Sequence, residues 1–350
     1  MSVFNRDWWV TRVPVDYQKV IGVIRDLVIK EPIPVHMKRW YYAMGATPLI
    51  LFLLQVTTGL LLTFYYVPST EMAYESVRHI SQDVPLGYWV RGLHYWGANL
   101  MIIAVFLHMI RVFFTRAYRK PRELNWILGV FLLGATLTMG FTGYSLTYNQ
   151  LSYWATTVGT NLIDQVPIVG HWLLVFMRGG ETVSANTLTR FFVFHELFVP
   201  AILFILITLH IFMIHLHGVA ELEGHEGEGY YPFYPDHFLK GVYVTLFLLT
   251  VMSALAILLP PALGQPANPA QTPLHIKPEW YFYSVYGLLK WVPIKVGVTL
   301  IMAALIVMVF WPFIDDWFRA KWPKAPIGYA LGGAVASLTL FLTVVELLAK

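Results

Sequence analysis

Residues 92–114 read GLHYWGANLMIIAVFLHMIRVFF, and residues 191–214 read FFVFHELFVPAILFILITLHIFMI. Each run is apolar for more than the roughly 20 residues that a helix needs to cross a hydrocarbon core of about 30 Å. Yet each holds two histidines: His94 and His108 in the first, His195 and His210 in the second. A polar ring among hydrocarbon costs free energy unless it has a partner, so all four ask for one. The intervals are 14 and 15 residues, close to four helical turns, so both histidines of a helix face the same way. At about 1.5 Å per residue the two levels lie about 21 Å apart, too far for one metal ion and suited to two separate centres.

Outward from these runs, the 350 residues are 57 % apolar and only 13 % charged, with a mean hydropathy of +0.59. A soluble domain carries about 25 % charged residues, so a soluble globular protein is excluded. Seven nearly charge-free stretches, near 43–66, 92–114, 126–146, 191–214, 239–260, 297–315 and 328–348, predict an all-α integral membrane protein with seven transmembrane helices. The pattern divides into an N-terminal segment (1–42), a four-helix bundle (43–217) and three C-terminal helices (218–350). The N-terminal segment and the even-numbered connections hold most of the 24 Lys and Arg residues. This excess puts the N-terminus on the cytoplasmic side of a bacterial plasma membrane or an equivalent energy-coupling membrane. The net charge of +4 therefore reports topology, with no basic–aromatic run of the kind that binds nucleic acid. Val20, Ile21, Ile24 and Val28 recur at helical spacing and predict an amphipathic helix over 16–30 on the inner surface. The first 40 residues lack the apolar region of a cleavable signal. There is no cysteine, which excludes disulfides, iron–sulfur ligation and a covalent c-type haem on this chain.

Topology pairs the histidines. The second and fourth spans run in the same direction, so His94 meets His195 near the outer face and His108 meets His210 near the inner one. A lone histidine in a span is most often a hydrogen-bonded packing residue. Two matched pairs instead predict two non-covalent b-type haems with two axial imidazoles each, centres that move electrons because no open position remains. Gly45 and Gly59 in the first span, and Gly129 and Gly143 in the third, repeat the 14-residue interval. Small residues permit close helix contact, and their match to the histidine interval assigns these four to haem clearance. Arg91, Arg111 and Arg190, at span ends, are candidates to pair with haem propionates. Two long loops, 147–190 and 261–296, share the outer face, and long loops in an economical protein are where function concentrates.

With PREL (121–124), GYSL (143–146), TLTRF (187–191) and ANPAQTPLHIKPEWYF (267–282) added, the chain resembles the cytochrome b / b6 family of quinol oxidoreductases. The His195–His210 interval and seven spans resemble the b6 type with its small companion subunit fused on. The resemblance implies quinol oxidation at the outer face, with Glu279 as proton acceptor and Tyr144 and Tyr281 beside it. It implies a Rieske iron–sulfur protein and a cytochrome c-type acceptor as partners, quinone and lipid as ligands, a homodimeric complex and coupling to proton translocation. His215 falls where one branch of the family lines an inner quinone site. Two departures stand out. Thr147-Tyr148 replaces the family's Pro-Trp beside the outer pocket. Tyr42 stands where the b6 branch has the cysteine that holds an extra haem.

The same four histidines would also serve a dihaem membrane anchor of a quinone-linked dehydrogenase or reductase that does not split the electron pair. Glu279 and the two outer loops have no task in that reading.

Overall fold

The computed structural model describes residues 22, 32–39 and 45–349. The amphipathic helix expected over 16–30, and Tyr42, lie outside the described residues. A short antiparallel pair, β1 (Pro32–Pro34) and β2 (Tyr230–Pro232), ties the N-terminal segment to the connection after the fourth span, with Ile33 opposite Tyr231.

Helix α1 (Thr47–Thr63) is followed by the short α2 (Ala73–Gln82), α3 (Gly87–Phe114) and α4 (Glu123–Ser145). The excursion 147–190 forms a hairpin of α5 (Gln150–Asp164) and α6 (Gly170–Arg178) before the long α7 (Ala185–His217). Then come α8 (Phe238–Leu258), α9 (Tyr283–Trp291), α10 (Ile294–Val309), α11 (Trp311–Lys321) and α12 (Ile327–Leu348). The ends of α5 and α7 are written in the sequence: Asn149 with Ser152, and Ser184 with Thr187, form reciprocal capping boxes. Inside the spans, threonines send their hydroxyl protons back one turn, Thr58 to the Leu54 carbonyl and Thr142 to that of Thr138, both at 2.8 Å.

Five helices are long and apolar enough to cross a membrane, six if the bent pair α10–α11 counts as one, and α1 is a shorter apolar helix. The count of seven expected from the sequence is thus matched only in part. The first expected span, 43–66, reaches beyond the described residues, and the sixth, 297–315, runs across a 71° bend. Pro312, in the first turn of α11, causes that bend. It has no N–H to donate to the Met308 carbonyl four residues back, and its ring crowds that carbonyl. The buried Trp126 indole donates to the freed oxygen instead, at 2.7 Å.

Leu51, Phe52, Leu93, Met101, Ala104, Val199, Leu203 and Met252 form the main buried cluster, where α1, α3, α7 and α8 meet. A second cluster, Tyr118, Trp126, Val130 and Trp311, holds α11 against α4. Large apolar side chains such as Phe204, Phe212 and Phe247 point outward and are exposed. In a bilayer such faces meet lipid at no cost, so van der Waals packing and hydrogen bonds hold the bundle together.

Candidate functional site

The structure brings the four histidines together in the pairs that the topology dictates. The His94 and His195 rings have centroids 6.1 Å apart, and those of His108 and His210 are 6.3 Å apart. Metal–imidazole bonds of about 2 Å on both sides of one ion, plus about 1.1 Å from each nitrogen to its ring centre, put the centroids about 6.2 Å apart. Both pairs fit that spacing. Among the described residues no group of three or more His, Cys, Asp or Glu could hold a metal ion. An ion held by two imidazoles alone needs further ligands of its own, as a porphyrin provides.

The outer pair is also held in the protonation state that ligation needs. Thr58 Oγ1 stands 2.9 Å from His94 Nδ1, and Thr142 Oγ1 stands 3.1 Å from His195 Nδ1. Each hydroxyl already donates its one proton to a backbone carbonyl. It can therefore only accept from the ring, which places the proton on Nδ1 and leaves the Nε2 lone pair for a metal. These two threonines were not among the residues singled out from the sequence. Their signal is present nonetheless: a Thr-Gly dipeptide at 58–59 and another at 142–143. The inner pair is held differently. There Arg111 Nη2 lies 3.3 Å from His108 Nδ1, beside the ring and not at the bundle surface.

Each of the four glycines faces one histidine. A Cβ on Gly143 would stand 2.5 Å from His195 Cε1, and one on Gly59 3.3 Å from His94 Cε1. The inner glycines are looser: 3.8 Å from Gly45 to His108 and 3.7 Å from Gly129 to His210. The room that these glycines open is thus occupied first by the imidazole edges.

His94 and His195 open into a cavity of about 440 Å³ that Tyr144, Glu279, Tyr281 and Arg91 also line. Loop-to-helix bonds set its walls. Trp280 Nε1 donates to Asn99 Oδ1 at 2.6 Å, fastening residues 278–281 to α3. The Tyr281 hydroxyl lies against Gly140, 2.9 Å from where a Cβ would be. Arg91 donates to the Pro261 and Ala262 carbonyls at 2.9 and 3.2 Å. Asn149 Nδ2 donates to Leu263 O at 3.0 Å, joining the two long loops. Burial raises the Glu279 carboxyl above the ordinary carboxylate range. Burial, and then the neighbouring Glu279 charge, raises the Tyr281 phenol and keeps it a hydrogen-bond donor.

Five further residues have distinct places. Glu196, beside His195 in the π-helical turn Phe194–Phe198, lines the same cavity, and the sequence reading passed over it. Thr147 lines the cavity too, whereas Tyr148 is buried in a cluster with Leu188 and Phe191. Arg190 is not among the lining residues: it is exposed, and donates to the Phe176 carbonyl of α6. His215 lies in the last turn of α7, five residues beyond His210.

Comparisons with known proteins identify the family. Residues 28–218 match the family model described as cytochrome b/b6/petB, and 266–345 the one for cytochrome b(C-terminal)/b6/petD. A cytochrome bc complex cytochrome b subunit of Chlorobaculum thiosulfatiphilum is 35% identical over 333 residues, 93% of this chain and 77% of the relative. A cytochrome b6 of Heliobacterium mobile is 42% identical over 201 residues, 57% of this chain and 94% of the relative. A solved structure described as a hyperthermophilic respiratory complex III matches with a TM-score of 0.77 at 27% identity, over 97% of this chain and 96% of that one. The chain belongs to the cytochrome b/b6 family and is the cytochrome b subunit of a bc/b6f-type oxidoreductase complex.

Proposed function

We propose that this chain oxidises quinol in the cavity beside His94 and His195 and sends one of the two electrons across the membrane. The observation that carries the reading is that one cavity joins an imidazole pair spaced for an iron porphyrin to Glu279, Tyr144 and Tyr281. Two b-type haems, when bound, supply one-electron carriers at two depths.

The rest falls to the chain's own residues. Tyr281, held protonated, donates a hydrogen bond to an oxygen of the bound quinol, and Tyr144 bounds the opposite wall. Quinol oxidation releases two protons, and the Glu279 carboxylate takes one of them. One electron leaves for a high-potential partner, which the family resemblance points to as a Rieske protein serving a cytochrome c-type acceptor. The other passes from the His94–His195 level to the His108–His210 level, about 21 Å inward. Arg91 at the outer level and Arg111 at the inner one stand where propionates can be paired. Quinone is reduced near the inner face, with His215 at that end of α7. Protons leave outside and enter inside, with the N-terminus in the cytoplasm, α1 as the first of seven spans and the complex a homodimer.

Adding oxidant to the quinol-reduced complex with its inner site blocked tests this reading. Further reduction of the b-haems is the expected result, because it arises only when the electron pair is split. Simple oxidation of the haems would favour the dihaem anchor.

A further inference from the structure

Three guanidinium groups converge on one carboxylate at the end of the molecule opposite the cavity. Arg116 and Arg119, from the connection after α3, and Arg319, from α11, lie 3.5, 3.2 and 3.6 Å from Glu223. One negative charge set against three positive ones leaves a local surplus of two. The donors are also under-used. Arg119 Nη2 is engaged with Glu223, but Arg119 Nε and Arg319 Nη1 are buried without a hydrogen-bond partner among the described residues. Buried guanidinium donors ordinarily find acceptors, so these orphans mark a missing anion. The Arg116 and Arg119 side chains are only 11% and 26% exposed, while Glu223 is 50% exposed and has room to swing away. Asp315, the buried carboxylate nearby in sequence to Arg319, accepts a bond from the Tyr118 hydroxyl instead.

The surroundings indicate what the anion is attached to. Helix α11 turns 71° from the direction of α10. It ends in an exposed aromatic collar, Trp317 and Trp322, with Lys321 over both rings at 5.4 and 4.9 Å. Tryptophan and lysine in this arrangement are features of a membrane–water interface. That is the level of lipid phosphates, and basic pockets between transmembrane helices bind anionic head groups. We propose that Arg116, Arg119 and Arg319 bind the phosphate of an anionic phospholipid, and that Glu223 is the internal anion it displaces.

The test uses the purified, partly delipidated complex in detergent, titrated with phosphatidylglycerol or phosphatidylcholine, with retained lipid measured by mass spectrometry. Phosphatidylglycerol is expected to be retained in preference to phosphatidylcholine. Arg119→Gln and Arg319→Gln should each weaken its retention about five-fold, the effect of one basic residue at a membrane surface. Glu223→Gln should strengthen retention, because it removes the competing charge. Unchanged retention in the arginine variants would overturn the proposal. So would weaker retention in Glu223→Gln, which marks a purely structural ion-pair network. Displacement of the lipid by millimolar inorganic phosphate would likewise overturn it, by showing a site for the free anion.

Discussion

Thr58 and His94 stand 2.9 Å apart across α1 and α3, and the threonine hydroxyl, already donating to Leu54, can only accept from the ring. Thr142 and His195 repeat the relationship across α4 and α7 at 3.1 Å. The outer imidazoles are therefore set for ligation by groups that never touch the metal. A hydrogen bond accepted from Nδ1–H makes the ring a stronger donor and favours oxidised iron.

Replacing either threonine by valine, which keeps the shape, should raise the midpoint potential of the outer haem. A tenfold change in the relative stability of the two oxidation states corresponds to about 59 mV for a one-electron couple. Removing such an outer-shell partner also typically weakens metal binding about 10- to 100-fold. A redox titration of the Thr142→Val complex, with its haem-to-protein ratio, checks both. An unmoved potential would deny the threonine its tuning role.

The glycines predict an asymmetry between levels. Gly143→Ala puts a methyl 2.5 Å from His195 Cε1, inside any tolerable contact, whereas Gly45→Ala meets His108 at an ordinary 3.8 Å. The first variant should lose its outer haem and the second should keep both. Haem content of the two purified variants, read from reduced-minus-oxidised spectra, decides the matter.

Glu279 predicts a pH dependence. Burial raises its pKa, so its carboxylate form, the one that accepts a proton, fills only as pH rises past that raised value. Quinol oxidation should therefore climb with pH on the acid side, and Glu279→Gln should abolish that limb and slow turnover by about 10²-fold or more. The same shift has a stability counterpart of opposite sense. A carboxyl whose folded pKa is raised favours the folded state below its unfolded pKa, and that contribution is lost as pH rises through the folded value. Thermal midpoints of wild type and Glu279→Gln across that range should converge at low pH and separate as pH rises, with the variant the more stable.

Trp126→Phe keeps the aromatic packing but removes the side-chain donor to the Met308 carbonyl, which Pro312 leaves without its helical donor. Losing one such hydrogen bond costs about 0.5–1.5 kcal/mol, and a lowered thermal midpoint of the purified complex should report it. Pro312→Ala, which restores the N–H, should recover part of the loss in the double variant.

Much of the protein is legible from residue order because a bilayer allows few solutions. Apolar runs must become helices that satisfy their own backbone groups. Histidines at four-turn intervals in two such helices then share a face, which sufficed to pair His94 with His195 and His108 with His210 and to match four glycines to them. What residue order left open depends on contacts between distant segments. The bend at Pro312 became definite only with Trp126 present to take the Met308 carbonyl. The tautomer of the outer histidines required Thr58 and Thr142 on neighbouring helices. Glu279 met the outer imidazoles in one cavity only through bonds such as Trp280 to Asn99 and Arg91 to the Pro261 carbonyl. Helical periodicity is a local property of the chain and can be read locally; the protonation, clearance and charge balance of a site arise from groups far apart in sequence, and the folded bundle alone brings those together.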